Sequence, residues 1–235
     1  MYCLKDNFLD LTKDIKCVNT LRLLSMDMIE NAKSGHPGMP LGCAPILFTL
    51  FKKHLRFNPK VEDWINRDRF ILSNGHGCAL LYSILHLFGY DLSINDLKEF
   101  RKLGSITPGH PEKNVTPGIE VTTGPLGQGF ANGVGVALAL KHLAARFNKE
   151  DLRIINNKVY VMCGDGEMQE GQIWEGMMLA AHHNLDNLCL ILDYNKLQSD
   201  DLNSNINNLE PIREKFIAFN WKVEEIDGHN PPEIF

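Results

Sequence analysis

The sequence predicts an α/β fold, a doubly wound parallel sheet flanked by helices. Two patterns carry that expectation. In the second half, short apolar runs suited to buried strands alternate with helical stretches, and strand–helix–strand units of this length imply parallel pairing with right-handed crossovers. Two of those runs also end in turns rich in Gly, Asp and Asn, at the strand ends where such sheets bind ligands. With 235 residues, 44% of them apolar, the chain can bury one large core, so residues 1–235 are read as a single domain.

Residues 11–33 form the first predicted helix. Ile15, Val18, Leu21, Met28 and Ile29 recur at three- and four-residue steps, and Ser34-Gly35 stops the run. Residues 34–42 hold three Gly and two Pro and read as a loop that lets the backbone approach another group closely. A short apolar helix follows at 43–51. Residues 69–73 read as a buried strand that runs through Asn74-Gly-His-Gly77 into a helix ending at Leu87. Ser93 and Asp96 have the spacing of a capping box and open a helix through Phe100. Residues 104–129 are mostly loop, and an irregular stretch of that length inside a domain is usually functional or disordered; its Gly-His-Pro and Gly-Gln-Gly segments favour function. An Ala- and Leu-rich helix then runs to Phe147. Strands are expected at 158–162, 188–192 and 222–226, with helices at 172–182 and 212–219 between them. Residues 228–235 read as the opening of a further helix, with another helix and strand expected beyond.

The net charge of −5 and the lack of a Lys/Arg-rich run argue against nucleic acid as the partner. No apolar run approaches the ~18–20 residues a bilayer span requires, so no membrane association is expected. Residues 1–7 lack the basic-then-apolar order of a signal peptide. Cys3, Cys17, Cys43, Cys78, Cys163 and Cys189 are scattered with no CxxC, which points to a reducing, cytoplasmic compartment and away from zinc. Cys163 and Cys189, in apolar runs, read as small core residues; Trp64, Trp174 and Trp221 read as packing residues, and 203–208 as a solvated loop.

The sharpest chemical signal is Cys163-Gly-Asp-Gly-Glu167 after one strand, with Asp193-Tyr-Asn195 after the next. Asp165 and Asn195 are 30 residues apart, one strand–helix–strand step, so both can reach the same rim of the sheet. A carboxylate, an amide oxygen and a backbone carbonyl suit a hard cation such as Mg²⁺, which completes its shell with phosphate and water. Gly164 and Gly166 leave N–H groups free for a diphosphate. Alone, Gly-Asp-Gly is a common turn; its pairing with Asp-Tyr-Asn raises it above that. His36, His76 and His110 each follow Gly in a Gly/Pro loop, where side chains can converge on a pocket. Imidazoles there can hydrogen-bond hydroxyls and carry protons near neutral pH. His54, His86, His142, His182 and His183 fall in helical patterns and read as structural. Gly127-Gln-Gly129 lacks the glycine spacing and preceding strand of a dinucleotide fingerprint.

The Gly-Asp-Gly and Asn pair resembles the thiamine diphosphate signature, and five segments, one of them extending that Gly-Asp-Gly, narrow the resemblance to the transketolase family. They are Ser34-Gly-His-Pro-Gly38, Leu72-Ser-Asn-Gly-His-Gly77, Thr107-Pro-Gly-His-Pro-Glu112, Thr116-Pro-Gly-Ile-Glu-Val-Thr-Thr-Gly-Pro-Leu-Gly-Gln-Gly129 and Gly164-Asp-Gly-Glu-Met-Gln-Glu-Gly171. The resemblance covers residues 14–230 and is to the diphosphate-binding half only. It implies a thiamine diphosphate-binding fold in which Asp165 and Asn195 ligate Mg²⁺ (or Ca²⁺ or Mn²⁺) by side chain and Leu197 by its carbonyl. It places Gly166 and His76 at the diphosphate, and Gly124, Pro125 and Leu126 along the thiamine. His36 and His110 would face the substrate as catalytic residues, and Glu170 would build the subunit interface beside the cofactor.

The carboxylate that activates the cofactor belongs, in this family, to a pyrimidine-binding domain, which these residues do not include. A short natural subunit or a truncated chain would both read this way; the length favours a split enzyme, with a pyrimidine-domain partner subunit and homodimerisation into a heterotetramer. Its implied reaction transfers a two-carbon ketol unit from a ketose phosphate to an aldose. Two other readings stay open: the α component of a 2-oxo acid dehydrogenase or a deoxyxylulose phosphate synthase, and a non-catalytic scaffold subunit of the same fold.

Overall fold

In the computed structural model, which describes residues 11–199 and 201–235, three strands pair in parallel in the order β1–β2–β3. They are β1 (Arg69–Leu72), β2 (Val159–Gly164) and β3 (Leu188–Asp193). Their side chains alternate between two cores, as a parallel sheet covered on both faces requires. On one face Phe70, Leu72 and Met162 pack against α1 (Leu11–Ala32), α2 (Gly38–Thr49) and α3 (Cys78–Leu87). On the other, Ile71, Val159, Val161 and Cys163 pack against α5 (Gln128–Phe147), α6 (Gly171–His182) and α8 (Ile212–Ala218); the short helices α4 (Ile94–Lys98) and α7 (Asn203–Ile206) precede α5 and α8 in the chain. The expected doubly wound α/β architecture is what the chain adopts.

Within α1, Val18, Leu21 and Met28 are buried as their spacing predicts, whereas Ile15 is exposed. The loop expected over 34–42 is shorter: α2 already begins at Gly38, because Pro37 and Pro40 sit where a helix needs no N–H from them. Pro45, inside α2, has no N–H for the carbonyl of Leu41, and the Arg22 side chain of α1 donates to that oxygen instead, at 2.9 Å. A π turn (Leu50–His54) closes α2. Ser93 and Asp96 form the expected capping box at α4. His86 is structural, its Nδ1 lying 2.7 Å from the Leu92 carbonyl.

Two expectations about the end of the sheet are overturned. Residues 222–226 form no strand; Val223 packs into the second core, but no neighbouring strand takes up the backbone. β3 is consequently an edge strand with half-exposed side chains, and Cys189 faces solvent rather than the core. Of the tryptophans, Trp174 and Trp221 pack with Phe216, while Trp64 is 38% exposed. The short helix α9 (Pro231–Ile234) occupies the region read as a helix start. Among the described residues no helix is long and apolar enough to cross a membrane. The signal-peptide reading of residues 1–7, and Cys3, lie outside the described residues.

Candidate active site

The rim at the carboxyl ends of the strands gathers the predicted residues in two groups. In the β2–β3 register Gly164 stands opposite Asp193, so Asp165 and Asn195 emerge from adjacent strands within two residues of the last pair. The Asp165 N–H donates to the Asp193 carbonyl at 3.1 Å. The Asp165 side chain is buried, its Oδ1 accepting from the Gly166 N–H at 2.8 Å and its Oδ2 from the Lys196 N–H at 2.6 Å. Asn195 is exposed; its Oδ1 accepts from the Leu197 N–H at 2.8 Å and its Nδ2 donates to Asp193 Oδ2 at 3.2 Å. Burial raises the Asp165 pKa above the usual carboxylate value, against the pull of the Lys196 and Gly166 N–H groups. A cation here would relieve that penalty.

This donor set fits a hard divalent ion. Each carboxylate oxygen of Asp165 and the amide oxygen of Asn195 keeps a lone pair beyond its one N–H bond, and the Leu197 backbone lies in the same turn. Among the described residues no three His, Cys, Asp or Glu side chains cluster as a metal site. The fit thus rests on one carboxylate supplemented by amide and carbonyl oxygens, the ligand chemistry of Mg²⁺ or Ca²⁺ rather than zinc.

The second group lies beyond β1, where three loops bring His36, His76 and His110 together. The rings of His36 and His76 have centroids 5.2 Å apart at 60°. Gly124 lets its loop press onto His110: a Cβ there would stand 3.2 Å from the ring. One on Gly75 would stand 2.9 Å from the Gly124 nitrogen, so only glycine permits this backbone approach. Burial, and then His36 and His110, push His76 down to about 4. His36 is lowered by burial and Arg101; His110 by burial, Arg101 and His36. All three imidazoles are therefore neutral near pH 7, each with one donor and one acceptor nitrogen.

Other predicted residues occupy the same rim. Gly166 opens a 3₁₀ turn (Gly166–Gln169), but its N–H is taken by Asp165 Oδ1 at 2.8 Å rather than left free as the sequence suggests. Pro125 is exposed and Leu126 half-buried, the Leu126 carbonyl accepting from Gln172 Nε2 at 3.0 Å. Glu170 is exposed at the N-cap of α6.

Three residues escaped the sequence reading. Arg101, at φ 63°, donates to Ser34 Oγ at 2.9 Å and to the Gly109 carbonyl at 3.4 Å, tying the His36 loop to the His110 loop. Asn203, assigned to a solvated loop, is buried and faces Asp165. Glu167 is 1% exposed and lies between the tips of β1 and β2. Only its occurrence next to Gly-Asp-Gly could have drawn notice.

A parallel sheet with a glycine-flanked aspartate, hard oxygen donors and neutral histidines along one rim defines a cofactor-binding α/β domain. The chain belongs to the transketolase family: residues 13–235 match "Transketolase, thiamine diphosphate binding domain". It is 50% identical over 218 residues to the transketolase of Geobacillus stearothermophilus, covering 92% of this chain and 32% of that protein. It is 53% identical over 216 residues to "Transketolase-1, chloroplastic" of Arabidopsis thaliana, covering 92% and 29%. A variant transketolase of Pichia stipitis, solved in complex with fructose 6-phosphate, superposes with a TM-score of 0.91 at 50% identity, covering 94% of this chain and 33% of that one. The chain thus spans about a third of the length of the relatives it matches.

Proposed function

We propose that this chain is the diphosphate-binding part of a thiamine diphosphate- and Mg²⁺-dependent transketolase, moving a two-carbon ketol unit from a ketose phosphate to an aldose. The observation that carries the reading is the pinning of the residues after β3 onto Asp165, at the rim it shares with Asn195. In this reading Asp165, Asn195 and the Leu197 carbonyl hold the metal, and Gly166 and His76 meet the diphosphate. Gly124, Pro125 and Leu126 line the thiamine, and Glu170 stands at the subunit interface. When bound, thiamine diphosphate supplies the nucleophilic carbon and the electron sink for breaking and making the carbon–carbon bond.

The chain's own work is positioning and proton handling. Neutral His36 and His110 offer a donor and an acceptor each to the hydroxyls of a sugar, and can take up or release a proton there. The complex of the Pichia stipitis relative with fructose 6-phosphate supports a phosphorylated sugar as substrate. The activating carboxylate comes from a pyrimidine-binding domain on a partner subunit, and two copies of each subunit assemble. The scattered cysteines, with no CxxC among them, support a reducing, cytoplasmic setting.

The test is calorimetry on the assembled enzyme. Asp165→Ala abolishes Mg²⁺-dependent binding of thiamine diphosphate while the parent retains it; undiminished binding in the variant overturns the assignment. A donor comparison between ketose phosphate and pyruvate separates this reading from the 2-oxo acid enzymes.

A further inference from the structure

Helix α5 begins directly after the segment Gly124–Leu126, and its N-cap is Gly127, in the left-handed conformation and without a side chain to cap the helix. The first turn of a helix leaves N–H groups without intrahelical acceptors. Here two of them are taken by side chains from elsewhere in the chain. Ser73, just past β1, accepts the N–H of Phe130, the third helical residue, at 2.9 Å. Glu167, just past β2, accepts the N–H of Gly127 itself at 2.6 Å. The Ser73 hydroxyl donates to the same Glu167 oxygen at 2.5 Å.

These are the two bonds of a capping box, in which a Ser takes the third N–H and a Glu returns to the N-cap N–H. In α4 both members, Ser93 and Asp96, come from the helix itself. In α5 they come from two strand tips. Ser73 and Glu167 are fully buried, so water does not compete for these bonds. The contact is also close: a Cβ on Gly129 would stand 2.6 Å from the Ser73 Cα. A carboxylate at this end of α5 further complements the positive end of the helix dipole.

We propose that Glu167 is a positioning residue which, with Ser73, caps α5 from the sheet and thereby sets the pose of Gly124–Leu126. This rests on the reading that those residues line thiamine diphosphate. Glu167 touches neither cofactor nor substrate; it acts through the start of α5. Its carboxylate references that loop to the tip of β2, two residues from Asp165, so the thiamine-lining and metal-side segments share one anchor.

The experiment uses the assembled enzyme with Glu167→Ala, Glu167→Gln and Ser73→Ala. Amide hydrogen exchange is read first, without cofactor. Glu167→Ala accelerates exchange at Gly127, and Ser73→Ala at Phe130, each about tenfold, while Val161 in mid-strand exchanges as in the parent. Glu167→Gln, which keeps an acceptor oxygen for the Gly127 N–H, restores protection at Gly127 to within about threefold of the parent. Thiamine diphosphate affinity follows: Ser73→Ala and Glu167→Ala raise the apparent Kd at least tenfold, with kcat at saturating cofactor within about twofold, and Glu167→Gln recovers most of the affinity. Parent-like exchange at Gly127 and Phe130, or accelerated exchange with unchanged cofactor affinity, overturns the proposal. Should Glu167→Ala fail to fold, Ser73→Ala and Glu167→Gln carry both measurements. If the parent itself binds no thiamine diphosphate, the functional reading fails, and the proposal fails with it even where the exchange results hold.

Discussion

The carboxylate of Asp165 accepts the backbone N–H of Lys196 at 2.6 Å, so the tip of β2 holds the chain that leaves β3. Lys196 sits at φ 66°, a left-handed conformation that costs a non-glycine residue energy and persists where surrounding contacts fix it. Asp165→Ala is therefore expected to loosen residues 195–198 even without metal. Amide exchange at Lys196 should accelerate about tenfold for the lost bond, while Val161 is unaffected. Equal exchange at Lys196 in parent and variant would show that the loop holds itself.

Stability should depend on pH through His76. Its folded-state pKa is held down to about 4, against an ordinary 6.5. Between those values the unfolded chain binds a proton that the folded chain does not, so stability falls as pH drops from 6.5 towards 4 and is level above 6.5. Buried Asp165 and Glu167, whose pKa values are raised, act in the opposite sense. The clean measurement is the difference between the parent and His76→Gln in urea-unfolding free energy. That difference should change by up to about 3 kcal/mol across the window; a flat difference would remove His76 from the pH response.

Arg101 lowers His36 and His110 but does not contribute to the shift of His76. Arg101→Gln should raise the first two pKa values in an NMR titration of the imidazole protons and leave His76 nearly in place. A uniform shift of all three would point instead to general opening of the pocket.

Glycine substitutions should split by surroundings. Gly75→Ala places a Cβ 2.8 Å from Thr123 Oγ1 and 2.9 Å from the Gly124 nitrogen; overpacking of this kind costs about 1–3 kcal/mol. Gly135→Ala, in mid-α5 with nothing within 4 Å, should stabilise the chain by about 0.5–1 kcal/mol through helix propensity. Thermal melts of the two variants should move in opposite directions.

Much of this architecture was legible in the sequence because period and punctuation agree. Apolar runs ending in Gly-Asp-Gly and Asp-Tyr-Asn placed two strand tips, and their spacing placed Asp165 beside the turn of Asn195. What stayed hidden depends on contacts between distant segments. Nothing local marks Arg101 as the tie between two loops, or Ser73 and Glu167 as caps for a helix that neither belongs to. Asn203 lies in an Asn-rich stretch whose composition says surface, yet its side chain turns inward beside Asp165. Residues 222–226 and Cys189 depart from expectation for one shared reason: a strand exists only where a neighbour takes its hydrogen bonds, and among the described residues none pairs beyond β3.

The open side of β3 has a practical corollary. Its outward N–H and C=O groups find no partner strand among the described residues, and an unguarded ladder of that kind recruits other copies edge to edge. Handled by itself in concentrated solution, this polypeptide should self-associate progressively, as light scattering would report, and a short extended peptide laid along that margin should suppress the clumping.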